Sequence, residues 1–438
     1  MTSAMLHVRR VYAHPLLRGT IIPALLLLCS PPFTVLTIVT CQAFGGDLLA
    51  ALAVLFKSPA SLWAVFPSPS WWSVGVLGGY AAAQYALLKL LPGRKFVAQL
   101  TPMGNRPTYV LNGVAAYVIN LVVVFAAGYT GLLQPGVVYD RYGEILATVN
   151  IIACIFVVVL YVKCRVAPQN TDSAVTGNLV WDLYWGTELH PEFAGVSLKQ
   201  YVNCRLGMMA WADVVLCFSF AQAERHGGLS NGMAVSTAIQ LLYIYKFFVW
   251  EAGYFNSIDI THDKFGFLIC WGCLCWVPSV YTLPSMYMAS RPMDLSVVAA
   301  AGVLALGVAS VAANYDADGQ RQRVRATNGK TTVWGKPPVL VHAKYTTGDG
   351  KKHNNLLLAS GWWGQARHVN YLSELMLALA WSLPGGFEHV TPYVYVVFLT
   401  VLLVDRAERD DLRCRAKYGT YWTEYCARVP YSIVPYVY

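Results

Sequence analysis

About ten apolar runs, each divided from the next by a polar or basic connection, leave this chain few choices of fold. They are Thr20 to Thr40, Trp71 to Leu91, Gly113 to Leu133, Ile145 to Val162, Met208 to Phe220, Met233 to Trp250, Phe265 to Met288, Leu295 to Ala313, Tyr371 to Leu383 and Val390 to Val404. A straight helical span needs about 20 residues. Several runs are shorter, so their number is fixed only to within one or two. The expected fold is all-α, a polytopic integral membrane protein with about ten transmembrane helices and a cofactor pocket in the C-terminal half. Composition agrees, since 13% of residues are charged and 56% hydrophobic, where a soluble domain carries about 25% charged residues.

The charges also follow a topology. Arg9, Arg10 and Arg18 precede the first run, Arg94, Lys95 and Arg106 follow the second, and Lys163 and Arg165 follow the fourth. After the eighth come Arg321, Arg323, Arg325, Lys330, Lys336, Lys344, Lys351 and Lys352, and after the tenth a dense run from Asp405 to Gly419. All of these fall on one side of a ten-helix arrangement, whereas Gly45 to Ser70, Gln134 to Glu144 and Ala223 to Asn231 are nearly free of Lys and Arg. By the positive-inside rule both termini face the cytosol. The net charge of +9 thus reads as topology, and nucleic-acid binding is not expected. No cleavable signal peptide is expected, because the first run is long enough to span. Cys270, Cys273 and Cys275 lie inside an apolar segment with no second Cys-x-x-Cys. They read as small buried hydrophobes, and no metal is expected.

Two parts of the chain differ in character. Residues 1–170 read as plain N-terminal transmembrane helices. Residues 171–438 read as a catalytic transmembrane region with cytosolic loops, because polar and aromatic residues crowd its span ends. No G-x-G-x-x-G or G-x-x-x-x-G-K-[ST] occurs, so a nucleotide would bind through side-chain cations in a helical pocket. Arg321 and Arg325 share a face if the helix continues past the span, and paired guanidiniums suit a phosphate. The competing reading is juxtamembrane arginines obeying topology. Arg367, His368, Asn370 and Tyr371 add donors and a stacking surface. Trp362 and Trp363 stack on a flat ring or belong to an interfacial belt. Asp410, Arg413, Cys414 and Lys417 recur at helical spacing and are followed by Tyr418, Tyr421, Trp422 and Tyr425. Charges there begin at the end of an apolar span, where they are costly unless paired or used. Tyr243, within a span, is an ordinary buried tyrosine or a proton donor in a dry pocket. Glu251, Asp259, His262 and Asp263 stand at a membrane boundary as solvated or as titrating groups.

These residues carry a likeness. Gly177-Asn178 to Pro191, Trp250-Glu251 through His262-Asp263-Lys264-Phe265-Gly266, Gly361-Trp362-Trp363-Gly364 through Asn370-Tyr371, Asp410 to Tyr418, and Val429-Pro430-Tyr431 to Pro435-Tyr436 resemble the sterol reductase family of the endoplasmic reticulum membrane. That family includes Δ7-, Δ14- and Δ24(28)-reductases and the lamin B receptor. The likeness covers nearly the whole chain. Asn203 to Met209, Phe247 to Tyr254 and Cys270 to Thr282 resemble its plant-type Δ7-reducing members in particular.

The resemblance implies NADPH as cofactor, held by Arg321, Arg325, Leu358, Trp363, Asn370, Tyr371, Asp410, Cys414, Arg415, Ala416, Lys417, Tyr418 and Tyr425. Arg321 stands where relatives carry Lys, so the charge is kept. It implies reduction of the C7–C8 double bond of a sterol that enters from the bilayer, with other sterol-biosynthesis enzymes as possible partners. Tyr243 is the expected proton donor, Asp410 organises the proton path or the nicotinamide end, and Glu251, Asp259 and His262 are reserves. Δ14-sterol reduction is the runner-up. A non-catalytic sterol-binding scaffold is disfavoured by the short segment ahead of the first span, and a transporter by the lack of internal repeats. A carboxyl methyltransferase using S-adenosylmethionine shares the C-terminal pattern, but Arg321 and Arg325 favour a phosphate-bearing cofactor.

Overall fold

In a bilayer apolar side chains have no reason to hide, so polar groups and small residues select which helix faces meet. The computed structural model, which describes residues 16–99, 101, 103–132, 134–346 and 352–438, is sorted in this way. Arg9, Arg10 and Lys351 of the topology argument lie outside the described residues. Each of the ten apolar runs is helical over most of its described length. Six helices among the described residues are long and apolar enough to cross a membrane: Leu17–Ala43, Tyr142–Val166, Gln200–His226, Asn231–Val249, Phe267–Ser290 and Val297–Ala326. Leu48–Lys57 and Gly113–Tyr129 are shorter apolar helices. Of the remaining runs, Trp71–Leu90 is interspersed with Gly, Ser and Tyr, Val369–Ser382 has 14 residues, and Val394–Tyr418 is charged in its second half. Expected as a purely helical protein, the chain also forms, among the described residues, three two-stranded antiparallel hairpins. They are Arg94–Val97 with Thr108–Leu111, Glu192–Phe193 with Val196–Ser197, and Leu340–Thr346 with Lys352–Leu358. The last arises where Val341 and Ala343 are buried and His342 and Lys344 exposed, the two-residue alternation of a half-buried strand.

The chain divides into two compact units. One comprises Met1–Met233, Phe247–Pro292 and Glu388–Thr391. There Phe267–Ser290 packs on Tyr142–Val166, Leu17–Ala43 and Gln200–His226. Leu28, Val123, Ile155 and Val159 point outward, exposed. Asn150 sits inside, donating to Thr34 Oγ1 at 2.9 Å and accepting from Trp271 Nε1 at 2.8 Å. One amide side chain thus joins three helices, the polar glue expected where no hydrophobic force draws helices together. Lys199 donates to the carbonyls of Asp259, Ile260 and Asp263 at 2.8, 3.1 and 2.5 Å, which ties down the connection ahead of Phe267–Ser290.

His190 is buried in this unit, its Nδ1 3.1 Å from the Tyr109 hydroxyl. Burial, reinforced by the Lys199 charge and opposed by Asp172, pulls the ring from 6.5 down to about 3. Below the unfolded value the unfolded chain binds the extra proton, so stability falls as pH drops from 6.5 toward 3. Each unit costs up to about 1.4 kcal/mol. The thermal midpoint in detergent is expected to fall from pH 7 to pH 5 more steeply for the parent chain than for His190→Gln. Equal slopes would remove the buried imidazole from the acid response.

The second unit comprises Ala234–Lys246, Met293–Phe387 and Pro392–Tyr438. Val297–Ala326 and Val369–Ser382 are its principal helix pair, and Val394–Tyr418 packs on the second of them. Val341, Ala343 and Leu357 of the long hairpin form a core with Cys414, Tyr418, Trp422, Tyr425 and Val429. The C-terminal tail closes back on the start of Val369–Ser382. Arg367 and His368 donate their backbone N–H groups to Tyr431 and Ser432 carbonyls at 3.0 and 2.8 Å. The Arg367 guanidinium reaches the carbonyls of Val429 and Pro430 at 2.8 and 2.7 Å.

Candidate functional site

The helix Val297–Ala326 continues through both Arg321 and Arg325, so the two guanidiniums rise one turn apart. Arg321 lies 4.2 Å over the Trp363 ring and 3.3 Å from Asp318. Trp363 is held by its indole N–H, which donates to the Ala317 carbonyl at 2.6 Å, and it packs with Leu358, Val324 and Val333. The neighbouring Trp362 donates to Asp316 Oδ2 at 2.9 Å. Both tryptophans are therefore fixed to the arginine helix. Gly361 makes the turn possible, with φ +64° and Gln320 Oε1 2.3 Å from where a Cβ would stand. Only glycine accepts both conditions.

Other sequence-singled residues gather on Val394–Tyr418 and its neighbours. Arg413 donates to Asp410 Oδ1 at 2.5 Å, and Asp410 Oδ2 lies 3.8 Å from the Cys414 sulfur and 3.9 Å from His368 Nε2. Burial pulls His368 down to about 4 against the Asp410 charge, so this contact is not an ion pair at neutral pH. Its ring stacks on Tyr371, centroids 4.9 Å apart. Lys417 sits 4.1 Å over Tyr345 and 5.2 Å over Tyr418, whose hydroxyl accepts from Asn355 at 2.6 Å. Arg325 lies within electrostatic range of Arg321, Tyr418, Tyr425 and Cys414. Partial burial, then the Arg413 and Arg325 charges, pulls Lys417 below the ordinary lysine range. Among the described residues no carboxylate pairs with Arg325 or Lys417. Arg415 is committed to Asp411 at 2.8 Å, and Ala416 is exposed. The charges at the end of the apolar span are largely paired, Arg409 with Asp405 at 2.9 Å among them, as their depth requires.

A third group lies along the helices themselves. Tyr243 is half-buried, its ring 5.7 Å from that of Trp381, and its hydroxyl hydrogen-bonds the Glu374 carboxyl. Asn314 donates to Glu374 Oε1 at 2.9 Å and to the Asn370 carbonyl at 3.2 Å, and accepts from Lys246. The Asn370 side-chain oxygen is buried with no hydrogen-bond partner among the described residues. Glu374, Asn314 and Lys246 escaped the sequence reading. For Glu374 and Lys246 the signal was present, since ionisable groups inside apolar helices point to function, whereas the neutral amide of Asn314 gave none.

Glu251, Asp259 and His262 belong to the other unit. Glu251 is buried, paired with Arg205 at 2.6 Å, and its second oxygen accepts from the Gly113 N–H at 3.2 Å. A Cβ at Gly113 would stand 2.5 Å from the Phe248 ring and 2.8 Å from that oxygen. Burial pushes Glu251 above the usual carboxyl range, against the pull of Arg205. Asp259 lends its backbone carbonyl to Lys199, and His262 is exposed.

The arrangement combines cations beside aromatic faces, an orphaned amide oxygen and a hydroxyl–carboxyl pair. Such a set can take a flat, anionic ligand and move a proton. Residues 33–438 match the model of the ergosterol biosynthesis ERG4/ERG24 family. The 7-dehydrocholesterol reductase of Arabidopsis thaliana is 43% identical over 95% of this chain and 96% of its own length. The Delta(14)-sterol reductase of Methylotuvimicrobium alcaliphilum is 35% identical, with 94% of each chain covered. The 7-dehydrocholesterol reductase of Xenopus laevis is 34% identical, covering 94% of this chain and 90% of that one. The chain belongs to the ergosterol biosynthesis ERG4/ERG24 family.

Proposed function

We propose that this protein reduces the C7–C8 double bond of a sterol with NADPH, as a multi-pass protein of the endoplasmic reticulum membrane with both termini cytosolic. The observation that carries the Δ7 assignment is the end-to-end 43% identity to the Arabidopsis 7-dehydrocholesterol reductase, against 35% to a Δ14-sterol reductase. That second relative keeps Δ14 reduction as the alternative.

The donor set fits a phosphate-bearing dinucleotide. Arg321 and Arg325 with Lys417 would hold its phosphates, Trp363 and Tyr418 would offer faces, and the Asn370 oxygen would accept from an amide N–H. Leu358, Tyr371, Cys414, Ala416 and Tyr425 complete the wall, with Arg415 at its margin. Bound NADPH supplies hydride. The protein's own part is to deliver a proton to the alkene and to exclude water from the cation-like centre that results. Tyr243 is the donor in this reading, and Asp410, braced by Arg413, orients the neighbouring polar groups. Glu251 is engaged with Arg205 and is not needed as a reserve. The apolar body of the sterol would remain among lipid-facing helices.

Purified protein given NADPH and either 7-dehydrocholesterol or a Δ8,14-sterol, with products resolved by mass spectrometry, tests the reading. Reduction of the first is the expected result. Reduction of the Δ8,14-sterol alone would transfer the assignment to the alternative.

A further inference from the structure

We propose that Glu374 is the proton reservoir that recharges Tyr243 after each turnover; the proposal rests on Tyr243 being the donor. The carboxyl hydrogen-bonds the Tyr243 hydroxyl on one side. On the other, Asn314 Nδ2 holds Oε1 at 2.9 Å, while the Asn314 oxygen is held by the Lys246 ammonium. Asn314 is itself buried and anchored to the backbone of Asn370 at 3.2 Å. Its amide is thereby locked with nitrogen toward Glu374 and oxygen toward Lys246, so the carboxyl has one oxygen occupied and is oriented toward the phenol. Lys246 and Asp318 are the charges that act on Glu374 besides these partners. Three helices supply this set, and each of its ionisable members is set in an apolar segment, where such groups persist only when paired or used.

A proton donor set within a membrane-spanning helix has a supply problem, because its own proton serves once. In one turnover the Tyr243 O–H bond breaks and a C–H bond forms on the sterol. The electron pair for the second C–H bond arrives as hydride from NADPH, which leaves oxidised. The phenolate then takes the Glu374 proton, a downhill transfer since a phenol is about six pKa units more basic than a carboxylate. The carboxylate regains its proton from water. The sum is one alkene, one reduced nicotinamide and one solvent proton consumed.

The test is pre-steady-state product formation by Glu374→Gln in detergent, with NADPH and 7-dehydrocholesterol. The amide preserves shape and hydrogen bonds but carries no transferable proton. One equivalent of product per protein should appear at close to the parental rate, followed by turnover slowed on the order of 100-fold. Glu374→Asp should keep the burst and slow later turnovers less, about tenfold. It provides the same reading if the amide variant does not elute as a folded protein. Parental turnover in Glu374→Gln, or first and later turnovers slowed alike in either variant, overturns the proposal. Tyr243→Phe run in parallel separates the two ideas. If it is inactive while Glu374→Gln is normal, only the reservoir fails; if it turns over normally, the donor assignment fails first.

Discussion

Tyr243→Phe is expected to lower the rate of NADPH-dependent sterol reduction by about 10²–10⁴-fold, the range that a positioned general acid contributes. The ring stays, so its packing 5.7 Å from Trp381 is retained and the fold should not change. What goes is a single hydroxyl, the group on this side chain that hydrogen-bonds the Glu374 carboxyl. Because the loss falls on the chemical step, kcat should fall while KM for NADPH stays near its parental value. A parental kcat from a folded Tyr243→Phe protein would sink the assignment. A rise in KM with kcat unchanged would make Tyr243 a binding residue instead.

The largest structural effect is expected at the fully buried Arg205. Its guanidinium bonds Glu251 at 2.6 Å and the Asn112 side chain at 2.8 Å, 5.7 Å from the Phe248 ring. Arg205→Ala leaves a buried carboxylate and a buried amide oxygen without their donor, which typically costs about 3–5 kcal/mol. The thermal midpoint in detergent should drop sharply. The double change Arg205→Ala with Glu251→Ala should recover part of the loss, because removing both partners avoids the stranded charge. A loss below about 1 kcal/mol for Arg205→Ala would mean that water or lipid headgroups reach the pair.

How far the sequence could be read depended on the range of the forces involved. The helices were legible because hydropathy is a local property, and every apolar run from Thr20 to Val404 became helical. The basic stretch after Val297–Ala326 was legible as charge but not as a hairpin. There the alternation of buried Val341 and Ala343 with exposed His342 and Lys344 was hidden among lysines already explained by topology. Among site residues, Arg321 with Trp363, and Cys414 with Tyr418 and Tyr425, were singled out by motif, and the fold packs them together. Glu251 was singled out as titratable, yet it is spent on Arg205, a partner that no spacing rule would have chosen.

By itself the sequence determined a helical membrane protein, its basic segments and its family, since these follow from composition and from motifs read along the chain. Only the tertiary structure decided which charges neutralise one another and which remain available. Asn314 meets Lys246 across 68 residues and Glu374 across 60. Such encounters depend on helix faces chosen by polar pairing and close packing, because in lipid hydrophobicity does not distinguish one apolar face from another.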